Sequence, residues 1–190
     1  MPHPTVLILA SGRGERFTAS GGTVHKLKAL LAGKAVLQHT LDAVRASGLP
    51  WHVEDAGHPG MGDSIAAAVA ATSNAAGWLV LPGDLPLVSP DTLRTVAGTL
   101  QTGGAYCVVV PTHQGTRGHP VGFAAGLRAD LLGLKGNQGA APVVIAQAAM
   151  KKIVFVELSD VGVVTDIDTL DDLATAQRLI VTRLGRHWVA

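Results

Sequence analysis

The stretch "VLILASGRGERF", Val6 to Phe17, sets five apolar residues directly before two glycines, a serine and three charges. Val6 to Leu9 lacks the polar alternation of a half-exposed strand and runs toward glycine, the pattern of a strand buried on both faces. Such strands belong to parallel sheets covered by helices. A glycine segment following one can aim several backbone N–H groups at a single point, which suits phosphate oxygens. Gly12 and Gly14 permit close approach, and Arg13 and Arg16 add positive charge. The spacing matches neither a Walker loop nor a dinucleotide fingerprint, which needs a third glycine where this chain has Phe17. Taken alone, G-x-G after a strand fits an ordinary turn better than a binding loop, and both readings stay open.

Outward from this stretch, strand and helix patterns alternate. Ala35 to Ala46 carries Val36, Leu37, Leu41 and Val44 at helical spacing, with Gly48 as a stop. Trp51 to Glu54 reads as a short strand, followed by an Ala-rich helix to about Ala71 capped by Asp63 or Ser64. Trp78 to Leu81 is a second buried strand, and Ser89-Pro90 opens a helix reaching Leu100. Ala105 to Pro111 and Pro120 to Ala124 read as strands, and Leu127 to Leu134 and Ala140 to Ala149 as helices. Ile153 to Glu157 and Val161 to Asp168 read as extended, and Thr169 to Leu184 as a long amphipathic helix. The alternation predicts an α/β fold, a single-domain Rossmann-like three-layer sandwich with a mostly parallel sheet and helices on both faces. One domain is expected over residues 1–184, with a loose tail at 185–190.

Composition narrows the function classes. The 190 residues are enough for one domain with a real core. Hydrophobic residues make up 47% and charged ones 15%, with a mean hydropathy of +0.33, which favours compactness over disorder. The apolar runs are far shorter than the roughly 20 residues of a membrane span. No basic stretch precedes the first apolar run, so a cytoplasmic location and no membrane partner are expected. A net charge of +1 without a dense Lys/Arg cluster lacks the footprint of a nucleic-acid binder. Cys107, the sole cysteine, stands before three valines and reads as a packed thiol.

Three segments carry the remaining chemistry. In "LPGDLPLVSP", Leu81 to Pro90, Asp84 follows a buried strand, on the edge where open α/β sheets bind ligands. It serves there either as a metal or pairing carboxylate or as a turn cap. In "VVTDIDTLDDL", Val163 to Leu173, an extended backbone points Asp166 and Asp168 to one face, toward one cation, while the same residues also suit a helix start. Lys26 and Lys28 flank Leu27, and "PGMGDS" and "RGHP" stand before a helix and a strand.

In order, "LILASGRGERF", "HKLKALLAGKAVLQHTL", "GMGDSIAAAV", "LVLPGDLPLVSPDTL", "RGHPVGF" and "DIDTLDDL" resemble the MobA-like nucleotidyltransferases, and most closely the molybdenum cofactor cytidylyltransferases of the MocA type. The resemblance implies a nucleotide-diphospho-sugar transferase-like fold and transfer of NMP, CMP from CTP, to a phosphorylated acceptor with release of pyrophosphate. A GTP-using enzyme, a sugar-phosphate enzyme and an inactive nucleotide-binding module are its alternatives. The family loop falls on Leu9, Ala10, Ser11, Gly12, Arg13 and Gly14, with serine for the second alanine, and Gly62 and Ser64 join the nucleotide site. Lys26, Arg16 and Asp84 are the implied catalytic residues, with Lys28 as the alternative register. Asp84 with Asp168 or Asp166 is the implied Mg²⁺ site, and Arg117 and His119 the implied acceptor site. The implied partners are CTP or GTP, a phosphorylated pterin-type acceptor, and a molybdoenzyme or its maturation factor. Between Ser47 and Gly60 the chain is shorter than the family pattern.

Overall fold

The computed structural model describes residues 3–104 and 107–186. The chain begins with β1 (Thr5–Leu9), whose five residues are all buried, then a short helix α1 (Glu15–Ala19). A single 3-10 turn at Lys26–Lys28 leads into a two-stranded hairpin, β2 (Leu30–Leu31) and β3 (Lys34–Ala35). Helix α2 (Val36–Ser47) follows and stops where Gly48 takes the left-handed conformation. Next come β4 (Trp51–Glu54), α3 (Met61–Ala71), β5 (Gly77–Pro82) and α4 (Pro90–Thr102), whose cap Ser89 accepts from the Thr92 N–H. The second half supplies β6 (Val108–His113), β7 (Thr116–Arg117), β8 (Val121–Ala124), α5 (Arg128–Leu132), α6 (Ala141–Ala149), β9 (Ile153–Glu157) and α7 (Leu170–Arg186).

Strand order is β4-β1-β5-β8-β6, with β7 and β9 also paired to β6. Strands β4, β1, β5, β6 and β9 run in one direction, and β7 and β8 run against it. The predicted α/β sandwich with a mostly parallel sheet is therefore the observed one. Successive residues of β1 face opposite layers. Leu7 and Leu9 join Ile65, Val69, Trp78 and Leu131 on one side, and Val6 and Ile8 join Val44, Leu81, Leu93 and Val96 on the other. Each such fully buried side chain contributes about 1.5–3 kcal/mol of apolar transfer. A third cluster, Phe17, Leu27, Leu31, Val36, Leu87 and Ile167, lies beneath the segment after β1.

The topology fixes where a site can form. From β1 the chain crosses to β4 on one side and later to β5 on the other, so β1 and β5 flank a switch point at their carboxyl ends, the crevice where open α/β sheets bind ligands. The two ends meet directly, Leu9 opposite Pro82, with the Gly83 N–H donating to the Leu9 carbonyl at 2.9 Å.

Several element boundaries differ from the sequence reading. Helix α3 is capped by Gly60, with Asp63 and Ser64 inside its first turn, because Asp63 is spent on the Gly136 N–H and Ser64 on the Gly60 carbonyl. Residues 161–168 form no strand: a 3-10 turn spans Val161–Val164. Asp160 accepts from the Gly162 N–H, and Gly162 packs against the Leu87 backbone. The stretch read as one helix from Leu127 divides into a 3-10 turn at Ala125–Leu127 and α5. Strand β6 starts at Val108, and Ala105 and Tyr106 lie outside the described residues. Helix α7 runs through Gly185 to Arg186, two residues into the expected tail, and 187–190 lie outside the described residues. Among the described residues no helix is long and apolar enough to cross a membrane.

Candidate active site

A cleft of about 510 Å³ opens at the carboxyl ends of β1 and β5. Its floor is the segment after β1. Gly14 holds φ 67°, a left-handed conformation that a side chain would strain, and turns the chain into α1. At Gly12 a side chain would meet nothing within 4 Å, so this backbone faces open cleft space. His25 braces the loop. Its Nδ1 accepts from the Leu27 N–H, so Nε2 is the donor to the Gly12 carbonyl at 2.7 Å. That bond ties the glycines to the turn bearing Lys26.

Lys26 Nζ donates to Asp84 Oδ2 at 2.6 Å and to Asp168 Oδ1 at 2.7 Å. Arg16 pairs with the other oxygen of Asp168. Burial alone would lower the Lys26 pKa, but the charges and hydrogen bonds of Asp84 and Asp168 outweigh it and hold it above the ordinary lysine value. At Asp168, partial burial opposes ionisation, yet Lys26 and then Arg16 keep its carboxyl below the usual range. Lys28 is exposed, and of the two lysines only Lys26 reaches these carboxylates.

Asp84 sits just past β5, 9% exposed, with its carbonyl accepting from the Ile167 N–H at 3.0 Å. This bond brings residues 166–168 to the end of β5. Its Oδ1 is buried without a hydrogen-bond partner. Asp166 is nearby but does not line the cleft. Loss of hydration, then the charges of Asp84, Asp168 and Asp172, push its carboxyl up.

Of the residues singled out in the sequence, the cleft brings together Leu9, Ser11, Gly12, Arg13, Gly14, Arg16, Lys26, Ser64, Asp84 and Asp168. Ala10 and Gly62 are not on its lining. Ala10 donates its N–H to the Glu54 carbonyl, and Gly62 packs against the Lys135 backbone, where a side chain would come within 2.9 Å. Ser11 turns its hydroxyl to Ser64, Oγ to Oγ 2.7 Å, linking the loop to α3.

The R-G-H-P segment works chiefly as a brace. Arg117 lies outside the cleft with its guanidinium 5.0 Å from the centre of the Phe155 ring. Gly118 fits against the Val163 carbonyl, which also accepts the His119 N–H at 2.9 Å. The His119–Pro120 peptide is cis. The Nδ1 of His119 is buried without a partner. Burial pushes its pKa down, against a backbone hydrogen bond to Val80 and the charges of Asp84 and Asp166.

The sequence reading assigned no role to the cleft-lining side chains of His58 and Asn137, nor to His25, which braces the loop from outside the lining. His58 had a local signal, four residues after Glu54 and just before a glycine turn. Asn137 lies between two glycines of positive φ, Gly136 and Gly139. Among the described residues no group of three or more His, Cys, Asp or Glu is arranged to hold a metal ion.

The MobA-like NTP transferase domain model matches residues 42–152, more than half of the chain. The chain belongs to the MobA-like NTP transferase family. This MobA-like chain has the fold of a nucleotidyl transferase from Methanothermobacter thermautotroptrophicus, with a TM-score of 0.75 at 21% identity, covering 95% of this chain and 99% of that one. It is similar in the same way to Rv0371C from Mycobacterium tuberculosis H37Rv, solved in complex with manganese, with a TM-score of 0.67 at 22% identity and coverage of 93% and 98%. The bifunctional protein GlmU of Desulfitobacterium hafniense is 32% identical over 117 residues, 50% of this chain and 25% of that protein. This chain spans about a quarter of the length of the first curated relatives it matches.

Proposed function

We propose that the cleft transfers a nucleotidyl group, CMP from CTP, to a phosphorylated pterin-type acceptor and releases pyrophosphate. One observation carries this reading. Beneath a glycine loop, a lysine is held between carboxylates from two distant segments, Asp84 and Asp168, with an arginine on the second. A triphosphate needs that combination of backbone donors, mobile cations and metal-binding carboxylates. The R-G-H-P segment favours a cofactor cytidylyltransferase over a guanylyltransferase.

The acceptor needs no general base. A phosphate monoester has a second pKa of about 6 and is largely ionised at neutral pH. Its oxygen forms the new bond to the α-phosphorus as the bond to the bridging oxygen breaks, and the electron pair leaves on pyrophosphate. Gly12 to Gly14 would hold the phosphates, with Lys26 and Arg16 taking up charge on the leaving group. The family resemblance assigns the acceptor to His119 and Arg117, but neither lines the cleft and Arg117 is turned onto the Phe155 ring, so the acceptor would approach beside these residues rather than on them.

A divalent cation fits the donor set: Asp84 keeps an unpartnered buried oxygen, and Asp168 already shares a cation with it. Asp84 and Asp168 would hold it, with its other ligands drawn from nucleotide and water and Asp166 adding negative charge nearby. Bound Mg²⁺ supplies charge neutralisation and orientation of the phosphates.

The test is metal-dependent pyrophosphate release with CTP, GTP or ATP and a phosphorylated pterin. Release with CTP is expected, and release with GTP alone would move the chain to the guanylyl branch. Nucleotide binding without release, with the acceptor present, would overturn transfer altogether.

A further inference from the structure

Strand β1 lies between β4 and β5, so the loops after β4 and β5 flank the glycine loop from opposite sides. The β5 side carries the charges. On the β4 side the cleft is lined by His58, Gly60, Met61, Ser64 and Asn137, none of them a carboxylate, lysine or arginine.

A carboxylate holds the His58 side chain and another the backbone beside Asn137, and neither carboxylate lines the cleft. Glu54, at the end of β4, is only 8% exposed. A carboxylate so buried is costly without partners, and it has them. Its Oε1 accepts from the Ala56 N–H at 3.2 Å and from His58 Nε2 at 3.0 Å, while His52 Nε2 stands 3.6 Å from its Oε2. The bond to Glu54 fixes the ring of His58 with Nε2 inward, and leaves Nδ1 as its other polar atom. The Glu54 carbonyl accepts from the Ala10 N–H at 2.8 Å, so this turn is tied to the start of the glycine loop.

The backbone that carries Asn137 is fixed by a comparable device. Asp63 accepts from the Gly136 N–H at 2.8 Å, and Gly60 lies so close to Gly136 that a side chain would come within 2.3 Å of its carbonyl carbon. The amide of Asn137 offers both a donor and an acceptor.

Hydrogen-bonding groups without a carboxylate, lysine or arginine suit a planar uncharged heterocycle, as the charges on the other side suit phosphate. Resting on the nucleotide reading above, we infer that His58, positioned by Glu54, and Asn137, positioned through Asp63 and Gly136, contact the nucleobase and set base selectivity. Such groups discriminate because a base of the wrong pattern leaves them unpaired.

Calorimetric binding of CTP, UTP, GTP, ATP and inorganic tripolyphosphate tests this in the full chain and in His58→Ala, Asn137→Ala and Glu54→Gln. His58→Ala and Asn137→Ala should each weaken the preferred nucleotide about tenfold and narrow the spread among the four. Tripolyphosphate affinity should stay within about twofold, since the phosphate residues are untouched. Glu54→Gln should lose part of the discrimination although His58 is present. An unchanged base preference in both alanine variants overturns the inference, as does a matching loss for tripolyphosphate. If the wild-type chain binds tripolyphosphate but shows no preference among nucleotides, base reading is overturned while the phosphate site stands. Binding of none of the five overturns the nucleotide reading itself, and this assignment with it.

Discussion

The two sides of the glycine loop solve opposite problems. Toward β5, Lys26, Arg16, Asp84 and Asp168 present ionised groups to the cleft, offset by one another. Toward β4, Glu54 is turned inward onto its own donors, so the cleft meets an imidazole, a hydroxyl and an amide there. The contrast shows how one strand order separates charge from shape. Groups that must exchange partners are left poised on each other, and groups that must hold still are pinned from behind.

Removing Asp84 should break the charged side most completely. Asp84→Asn keeps the shape but removes a charge that both Lys26 and a metal would use, and pyrophosphate release should fall about a thousandfold with an unchanged circular dichroism spectrum. Lys26→Ala should cost about a hundredfold, whereas Lys28→Ala, at an exposed position, should stay within about twofold. Equal losses for the two lysines would show that the cleft does not distinguish them.

Gly162→Ala acts on the same side through the backbone. An added Cβ would fall 2.1 Å from the Leu87 carbonyl oxygen, pushing away the turn that leads to Asp168. Thermal unfolding should show a loss of about 2–4 kcal/mol, of the size typical for a buried clash. Base preference, set on the β4 side, should be retained by the folded fraction.

The smallest effect expected belongs to the β4 side. Burial opposes the ionisation of Glu54, but His58, the Ala56 N–H and His52 overcome it and hold its carboxyl below the ordinary 4.5. The folded state thus binds this proton less readily than the unfolded chain does. The stability it contributes is complete above about pH 4.5 and is lost as pH falls through the depressed folded value. Glu54→Gln should be about 1–2 kcal/mol less stable at pH 7, with the two stability curves converging as pH falls through the depressed folded value. Parallel curves throughout would show that the Glu54 carboxylate is not ionised against these partners.

The same contrast explains what could be read from the residues. Arg16, Lys26, Asp84 and Asp168 stand at strand ends or helix starts, where local pattern and chemistry point the same way. His58 is placed locally, by Glu54 four residues earlier, in a turn whose composition carries no distinctive pattern, whereas Asn137 is placed by contacts across the fold, from Asp63 and Gly60 far earlier in sequence. Residues 161–168 show how such contacts mislead local reading. Their alternation resembles a strand, but Asp160 caps a turn there and Gly162 seats it on the Leu87 backbone. For Arg117 the motif was legible and its direction was not, since the Phe155 ring that receives it comes from β9.

On the proposed function, Asp84 and Asp168 form a cation site that Lys26 fills until a metal nucleotide arrives. Crystals grown with Mn²⁺ and CTP test it through anomalous scattering. The manganese peak should lie between the Asp84 and Asp168 carboxylates, with the Lys26 ammonium moved onto a phosphate oxygen. A peak elsewhere, or Lys26 still bonded to both aspartates beside a bound nucleotide, would contradict it.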